Sequence, residues 1–223
     1  MKTVIVCVFL LAGIEGVFAQ SGPARFAEVW GTVETRDEGQ AEWKAASPGD
    51  SIGKNTVIST GFKSTALVVL GDSRLSVRSL TRLTLEELVQ RDGTEEVRLY
   101  LRSGRVQVKV TPPSGLRTNF TVRSPVATAS VRGTGFEFDT RRLYVESGRV
   151  LLEGADGQRV YVGAGERSYV DEREQRVIHP FEAETALLTP GLAELANTGS
   201  DTGGYAPEIA APEDVPLGIA AEW

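Results

Sequence analysis

Between Phe26 and Ile178, apolar residues recur at every second position, and clusters of turn-forming residues cut the pattern into pieces of about five. Val97, Leu99 and Leu101 alternate with polar neighbours. So do Val106, Val108 and Val110, Phe136 and Phe138, Leu143 and Val145, Val150 and Leu152, and Val160 and Val162. A strand points successive side chains to opposite faces, so each piece has one apolar and one polar face. The separators are Ser103-Gly104, Pro112-Pro113-Ser114-Gly115, Asp139-Thr140-Arg141, Asp156-Gly157 and Gly163-Ala164-Gly165. Their backbone preferences favour turns over either regular structure. The spacing predicts an all-β fold, an antiparallel sandwich or roll of short strands with hairpins stacked in the manner of a solenoid.

Three stretches read less simply. Thr65 to Leu70 is more continuously apolar and reads as a central strand buried on both faces. Leu80 to Gln90 fits a short helix almost as well as a strand, although Leu75-Val77 and Leu83-Leu85 favour strands. Residues 181–196 carry Leu187, Leu188, Leu192 and Leu195 but are interrupted by Pro190-Gly191, which leaves room for one short helix. There is one internal echo: Tyr100-Leu-Arg-Ser-Gly-Arg-Val reappears as Tyr144-Val-Glu-Ser-Gly-Arg-Val, read as two equivalent β-hairpins. Two copies fall short of a repeat array.

The termini differ from this body. A basic n-region at Lys2, an apolar run from Thr3 to Ala12 and Val17-Phe18-Ala19 predict a secretory signal peptide over residues 1–19, cut before Gln20. That run is too short to span a bilayer and no second one follows, so no integral membrane segment is expected in the mature chain. Cys7 is the single cysteine, so the mature chain would hold no thiol or disulfide. Net charge is −6, of which residues 183–223 supply −7 without a single Lys or Arg, leaving residues 1–182 at +1. A near-neutral body with an acidic tail excludes the strong basic excess of a nucleic-acid binder. Residues 197–223, rich in Gly, Ala, Pro and acids, predict a disordered tail.

The body, taken as residues 26–180, resembles the FecR-domain family. The resemblance is carried by Gly31-x-Val33, Trp43, Gly49-Asp50-x-Ile52, Thr60-Gly61, Ser64-x-Ala66 and Asp72-Ser73-x-Leu75. It continues through Leu101-x-Ser103-Gly104-x-Val106, Ser124-Pro125-Val126-Ala127, Arg132-Gly133-Thr134-x-Phe136, Val145-x-x-Gly148-x-Val150 and Gly165-Glu166. The resemblance implies an extracytoplasmic all-β module, periplasmic or secreted, that works by protein interaction. Founding members of that family join this module to a cytoplasmic anti-sigma helix through a membrane segment. Neither part is matched here, so their relay role is not expected. Each motif residue also has a structural reason. Arg132 and Thr134 read as turn stabilisers, Gly133 and Gly148 as backbone positions a Cβ would disturb, and Trp43, Phe136 and Phe138 as core.

No set of residues suggests catalysis. His179 is the only histidine, and there is no G-x-S-x-G, no H-E-x-x-H and no dinucleotide loop, so no catalytic, cofactor or metal residues are assigned. Glu86-Glu87 and Asp171-Glu172 are adjacent in strands and so read as pointing to opposite faces. Asn119-Phe120-Thr121 fits a glycosylation sequon but reads as coincidence in a bacterial-looking family. One candidate interaction face remains: Arg98, Tyr100 and Arg102 followed by Arg105, Gln107 and Lys109, which a hairpin would bring onto one basic surface. Its expected partner is an unknown envelope protein or a glycan such as peptidoglycan. The competing reading is a solvated face neutralised by Glu95 and Glu96. Arginines outnumber lysines 19 to 5, so arginine alone carries no signal.

Overall fold

The computed structural model describes residues 24–188 apart from 172, 174 and 175, with the backbone only for 185–188. The described residues up to 185 form one compact unit; of the second unit, residues 186–223, the described part is the end of a helix. The first unit is built from two sheets between which the chain passes repeatedly. β1 (Ala24–Trp30) lies in the first sheet, β2 (Val33–Arg36) and β3 (Lys44–Ala45) in the second, β4 (Ser51–Ile52) in the first and β5 (Thr56–Thr60) in the second. β6 (Thr65–Leu70) and β7 (Ser73–Val77) return to the first sheet, and β8 (Arg82–Arg91) and β9 (Thr94–Ser103) to the second. β10 (Arg105–Lys109) is again in the first, β11 (Arg117–Arg123) and β12 (Ala127–Val131) in the second, β13 (Gly135–Asp139) and β14 (Arg142–Ser147) in the first. β15 (Arg149–Gly154) and β16 (Arg159–Gly163) close the second sheet; β17 (Arg167–Val170) and β18 (Val177–Ile178) close the first.

Among the described residues each sheet has nine strands: β4-β1-β6-β7-β10-β13-β14-β17-β18 in the first and β3-β2-β5-β8-β9-β11-β12-β15-β16 in the second. Apart from the first pair, strands are added in chain order at the same end of both sheets. Every pair is antiparallel except β9 with β11, which become parallel neighbours because β10 has crossed to the other sheet between them. Three of the four sheet edges are two-residue strands, and short edges resist pairing with other chains. The fourth is β16.

The apolar phase of both sheets meets in one core. Val97, Leu99 and Leu101 of β9, Val106 and Val108 of β10, and Phe120 of β11 are all at most 1% exposed. Phe120 from the second sheet meets Phe136 from the first edge-on, with ring centroids 6.5 Å apart. Such a contact adds to the stabilisation from burial, which is about 1.5–3 kcal/mol for a large apolar side chain.

Several sequence expectations need correction. Thr65–Leu70 is not buried on both faces: Ala66, Val68 and Leu70 are inside while Thr65, Leu67 and Val69 are partly exposed. Leu80 lies in a turn and Arg82 to Gln90 is strand, as Leu83-Leu85 favoured; a bulge between Leu85 and Glu87 shifts its phase, which is what imitated a helical period. The same bulge sets Glu86 and Glu87 against Arg123 and Arg98 on the outer face, so the two carboxylates do not part. Trp43 is outside the core, half-buried between the guanidinium groups of Arg36 and Arg82 at 4.8 and 5.3 Å. The two Ser-Gly segments are not hairpin turns. Ser103-Gly104 carries the chain from the second sheet to the first, and Ser147-Gly148 from the first to the second. The helix, α1 (Pro180–Leu188), starts one residue earlier than expected, with proline in the first turn where its missing N–H is harmless. The rest of the expected helix, the signal peptide, Glu172 and the acidic tail lie outside the described residues.

Candidate functional site

The crossings between sheets decide where the predicted face goes. Arg98, Tyr100 and Arg102 point outward from the second sheet, and Arg105, Gln107 and Lys109 point outward from the first. A single basic hairpin face therefore does not exist; the core separates its two halves. Arg98 is held by Glu87 at 2.7 Å and Glu96 at 3.0 Å. Arg105 is held by Glu137 at 3.2 Å. Lys109 stands between Arg74 and Gly135 across its neighbouring strands. Glu95, expected to neutralise this surface, is fully buried on the inner side of β9, where it accepts a hydrogen bond from Thr118 Oγ1 at 3.3 Å.

The outer face of the second sheet does gather one group. Pairing registers align Glu87, Arg98, Thr121, Ser130, Leu151 and Tyr161 in a row across six strands. The small side chains of Thr121 and Ser130 leave a shallow groove of about 600 Å³ along that row. Arg98 and Glu96 form one wall, and Tyr161, 64% exposed on edge strand β16, the other. Asn119, Arg132 and Arg149 line one flank. Continuing the register of β12 on β15 sets Arg132 opposite Arg149. Like charges directly opposite destabilise a strand pair, and an anion between them relieves the repulsion. Arg149 also lies over the Tyr161 ring at 5.8 Å.

Arg132 was expected to stabilise a turn, but its side chain is exposed in this groove. Thr134 is 6% exposed, Phe136 is fully buried, and Gly133 has φ +151°, a region that favours glycine. Gly148, at φ +78°, packs so closely on Thr134 that a Cβ would overlap its methyl. Sequence reasoning missed Arg149 and Tyr161. The one signal for Arg149 was its place in the Ser-Gly-Arg-Val echo, and nothing local marked Tyr161.

Chemically, the groove offers guanidinium donors, hydroxyls and an aromatic plane. It holds no converging acid, base and nucleophile. Among the described residues, no group of three His, Cys, Asp or Glu is placed to hold a metal ion. His179 is exposed at the start of α1, where its Nδ1 accepts the Phe181 N–H at 3.4 Å. No helix among the described residues is long and apolar enough to cross a membrane.

No curated protein matches the chain. Two crystal structures of a candidate anti-sigma factor from Parabacteroides distasonis are similar to it, at 17% and 16% identity and TM-scores of 0.46. The similarity covers 60% and 59% of this chain and 64% and 63% of theirs, so the chain spans less than two thirds of those structures. Residues 56–163 match the family described as FecR protein, a span that opens at the first residue of β5 and ends at the last of β16. Strands β1–β4 and β17–β18 lie outside that span yet extend the same two sheets. Over residues 56–163, 108 of its 223 residues, the chain is similar to the FecR family.

Proposed function

We propose that this chain is an exported, non-enzymatic FecR-domain module that acts in the cell envelope by binding a partner protein, in signalling or scaffolding. The observation that carries this reading is the groove on the second sheet, where Arg132 and Arg149 stand together and, among the described residues, no carboxylate is ion-paired to either. Around them, Arg98, Arg123 and Arg159 are each engaged by a glutamate, so the exposed positive potential concentrates at this pair. An acidic surface seated there gains charge-assisted hydrogen bonds from both guanidinium groups. Export rests on the Val17-Phe18-Ala19 cleavage pattern.

A second reading has its own support. Tyr161 with Thr121 and Ser130 in the floor and Asn119 on the flank presents an aromatic plane and hydroxyl-reading groups, a composition suited to an anionic glycan such as peptidoglycan. One experiment separates the two. Mature wild-type protein and the Arg132→Glu, Arg149→Glu double variant are compared in cross-linking within native envelopes and in co-sedimentation with purified peptidoglycan. The protein reading expects a discrete cross-linked adduct that the double variant loses, with no co-sedimentation. Charge-sensitive co-sedimentation selects the glycan reading, and indifference of both assays to the double variant rejects the groove.

A further inference from the structure

The first sheet carries a second surface, built where the chain turns from one sheet to the other. Its crossings are tied edge to edge by hydrogen bonds. Gly61 N–H donates to Thr32 O at 2.9 Å, Leu80 N–H to Gly61 O at 3.2 Å, and Arg105 N–H to Thr81 Oγ1 at 3.0 Å. The stacked crossings lift Trp30, Phe62 and Leu80 into solvent at 66%, 74% and 62% exposure. Leu80 has φ +57° and Lys63, beside Phe62, has φ +53°. A left-handed backbone is unfavourable for an ordinary L-residue. Leu80 thus combines an unfavourable backbone with an apolar side chain in water, where glycine would avoid both. Strain of this kind clusters at functional positions.

The ridge adjoins a charged row. Register across the first sheet aligns Trp30 with Thr65, Arg105 with Asp139 and Arg142 with Tyr169. Continuing the same registers places Arg78 between Thr65 and Arg105, where its N–H donates to Arg105 O at 3.0 Å. The result is a margin reading Trp30, Thr65, Arg78, Arg105, Asp139, Arg142, three arginines against one carboxylate. The middle of the row lines an open depression of about 950 Å³ that reaches Leu80. Arg105 is compensated by Glu137 and Asp139, whereas among the described residues the Arg78 guanidinium has only the neutral Gln107 amide at 2.6 Å.

We propose that this margin docks an extended acidic segment of a partner protein, which lays apolar side chains on Trp30, Phe62 and Leu80 and carboxylates along Arg78 and Arg142. The inference rests on the reading of the chain as a protein-binding module but uses a different surface from the Arg132–Arg149 groove. Exposed apolar residues supply the anchor, and charge complementarity selects an acidic occupant over a basic one.

The test uses the full mature protein and a fluorescein-labelled peptide alternating glutamate with leucine and tryptophan, read by anisotropy. A second peptide carries lysine for every glutamate. The acidic peptide should bind and the basic one should not. Trp30→Ala with Phe62→Ala should weaken acidic-peptide binding by about tenfold or more. Leu80→Gly should weaken binding too while melting no lower than the parent, which separates docking from folding. Arg132→Glu with Arg149→Glu should leave the peptide affinity unchanged, so failure of the groove is distinguishable from failure of the margin. Absence of peptide binding, equal affinity for both peptides, or indifference to the ridge variants overturns the proposal. A concentration-dependent dimer that Phe62→Ala abolishes would assign the ridge to a second copy and overturn it equally.

Discussion

Thr81 and Thr134 occupy equivalent places, each a buried threonine packed against the glycine of an adjacent crossing. Their hydroxyls differ. Thr81 Oγ1 accepts the Arg105 N–H at 3.0 Å and can donate to Arg105 O at 3.1 Å, whereas Thr134 Oγ1 is buried without a partner. A buried donor left unmade costs about 1–3 kcal/mol, while an apolar replacement of a group that makes no bond is nearly neutral. Thr81→Val should therefore lower stability by about 1–3 kcal/mol in urea unfolding, and Thr134→Val should leave it unchanged or raise it. Equal losses in the two variants would mean that Thr134 has a partner after all. Gly133 is a separate case, because a Cβ there meets only Pro112 at 3.4 Å, an ordinary contact. Its requirement is the backbone angle alone. Gly133→Val should cost about 1–3 kcal/mol in the same assay.

Among the elements, the crossings explain both what the sequence made legible and what it did not. Period-two alternation identified the strands because each sheet has one buried face, and Phe136 and Phe138 fell where that pattern put them. The same pattern is blind at Ser103-Gly104. Alternation resumes after the glycine in the same way whether the chain folds back beside itself or passes over to the opposite sheet. The partners that settle the matter are distant in sequence: Thr81 lies 24 residues from Arg105. Hence Arg98, Tyr100 and Arg102 were grouped with Arg105 and Lys109 across a core they do not share. Arg149 and Tyr161 join Arg132 only through pairing of β12, β15 and β16. Trp43 shows the same limit, since its guanidinium neighbours come from β2 and β8. The separation has a measurable result. Arg102→Glu and Arg105→Glu, on opposite outer faces, should each change stability by no more than about 1 kcal/mol, and their effects should add. A double variant that loses much more than the sum would mean the two arginines share a network.

For the molecule as a whole, one contiguous core spans both nine-stranded sheets, and sequence supplies no thiol beyond Cys7. With one cysteine no intrachain disulfide can form, so the chain is held by noncovalent contacts. Exported protein should begin at Gln20 on N-terminal sequencing, and recovery of Met1 would indicate an uncleaved leader. Deleting residues 197–223 should shift the thermal midpoint by less than about 2 °C, the expected result for a segment that lacks the apolar density of a core.

The order in which strands join the sheets has a further meaning under the proposed export, in which the polypeptide is threaded through a translocation channel amino end first. From β3 on, each newly delivered strand meets one pairing neighbour already outside, so assembly can proceed like a zipper. The last-formed rung at any moment is the temporary end of both sheets. A chain stalled with β1–β12 delivered should already shield β1–β7 from added protease, and uniform digestion of that intermediate would show that closure waits for β18.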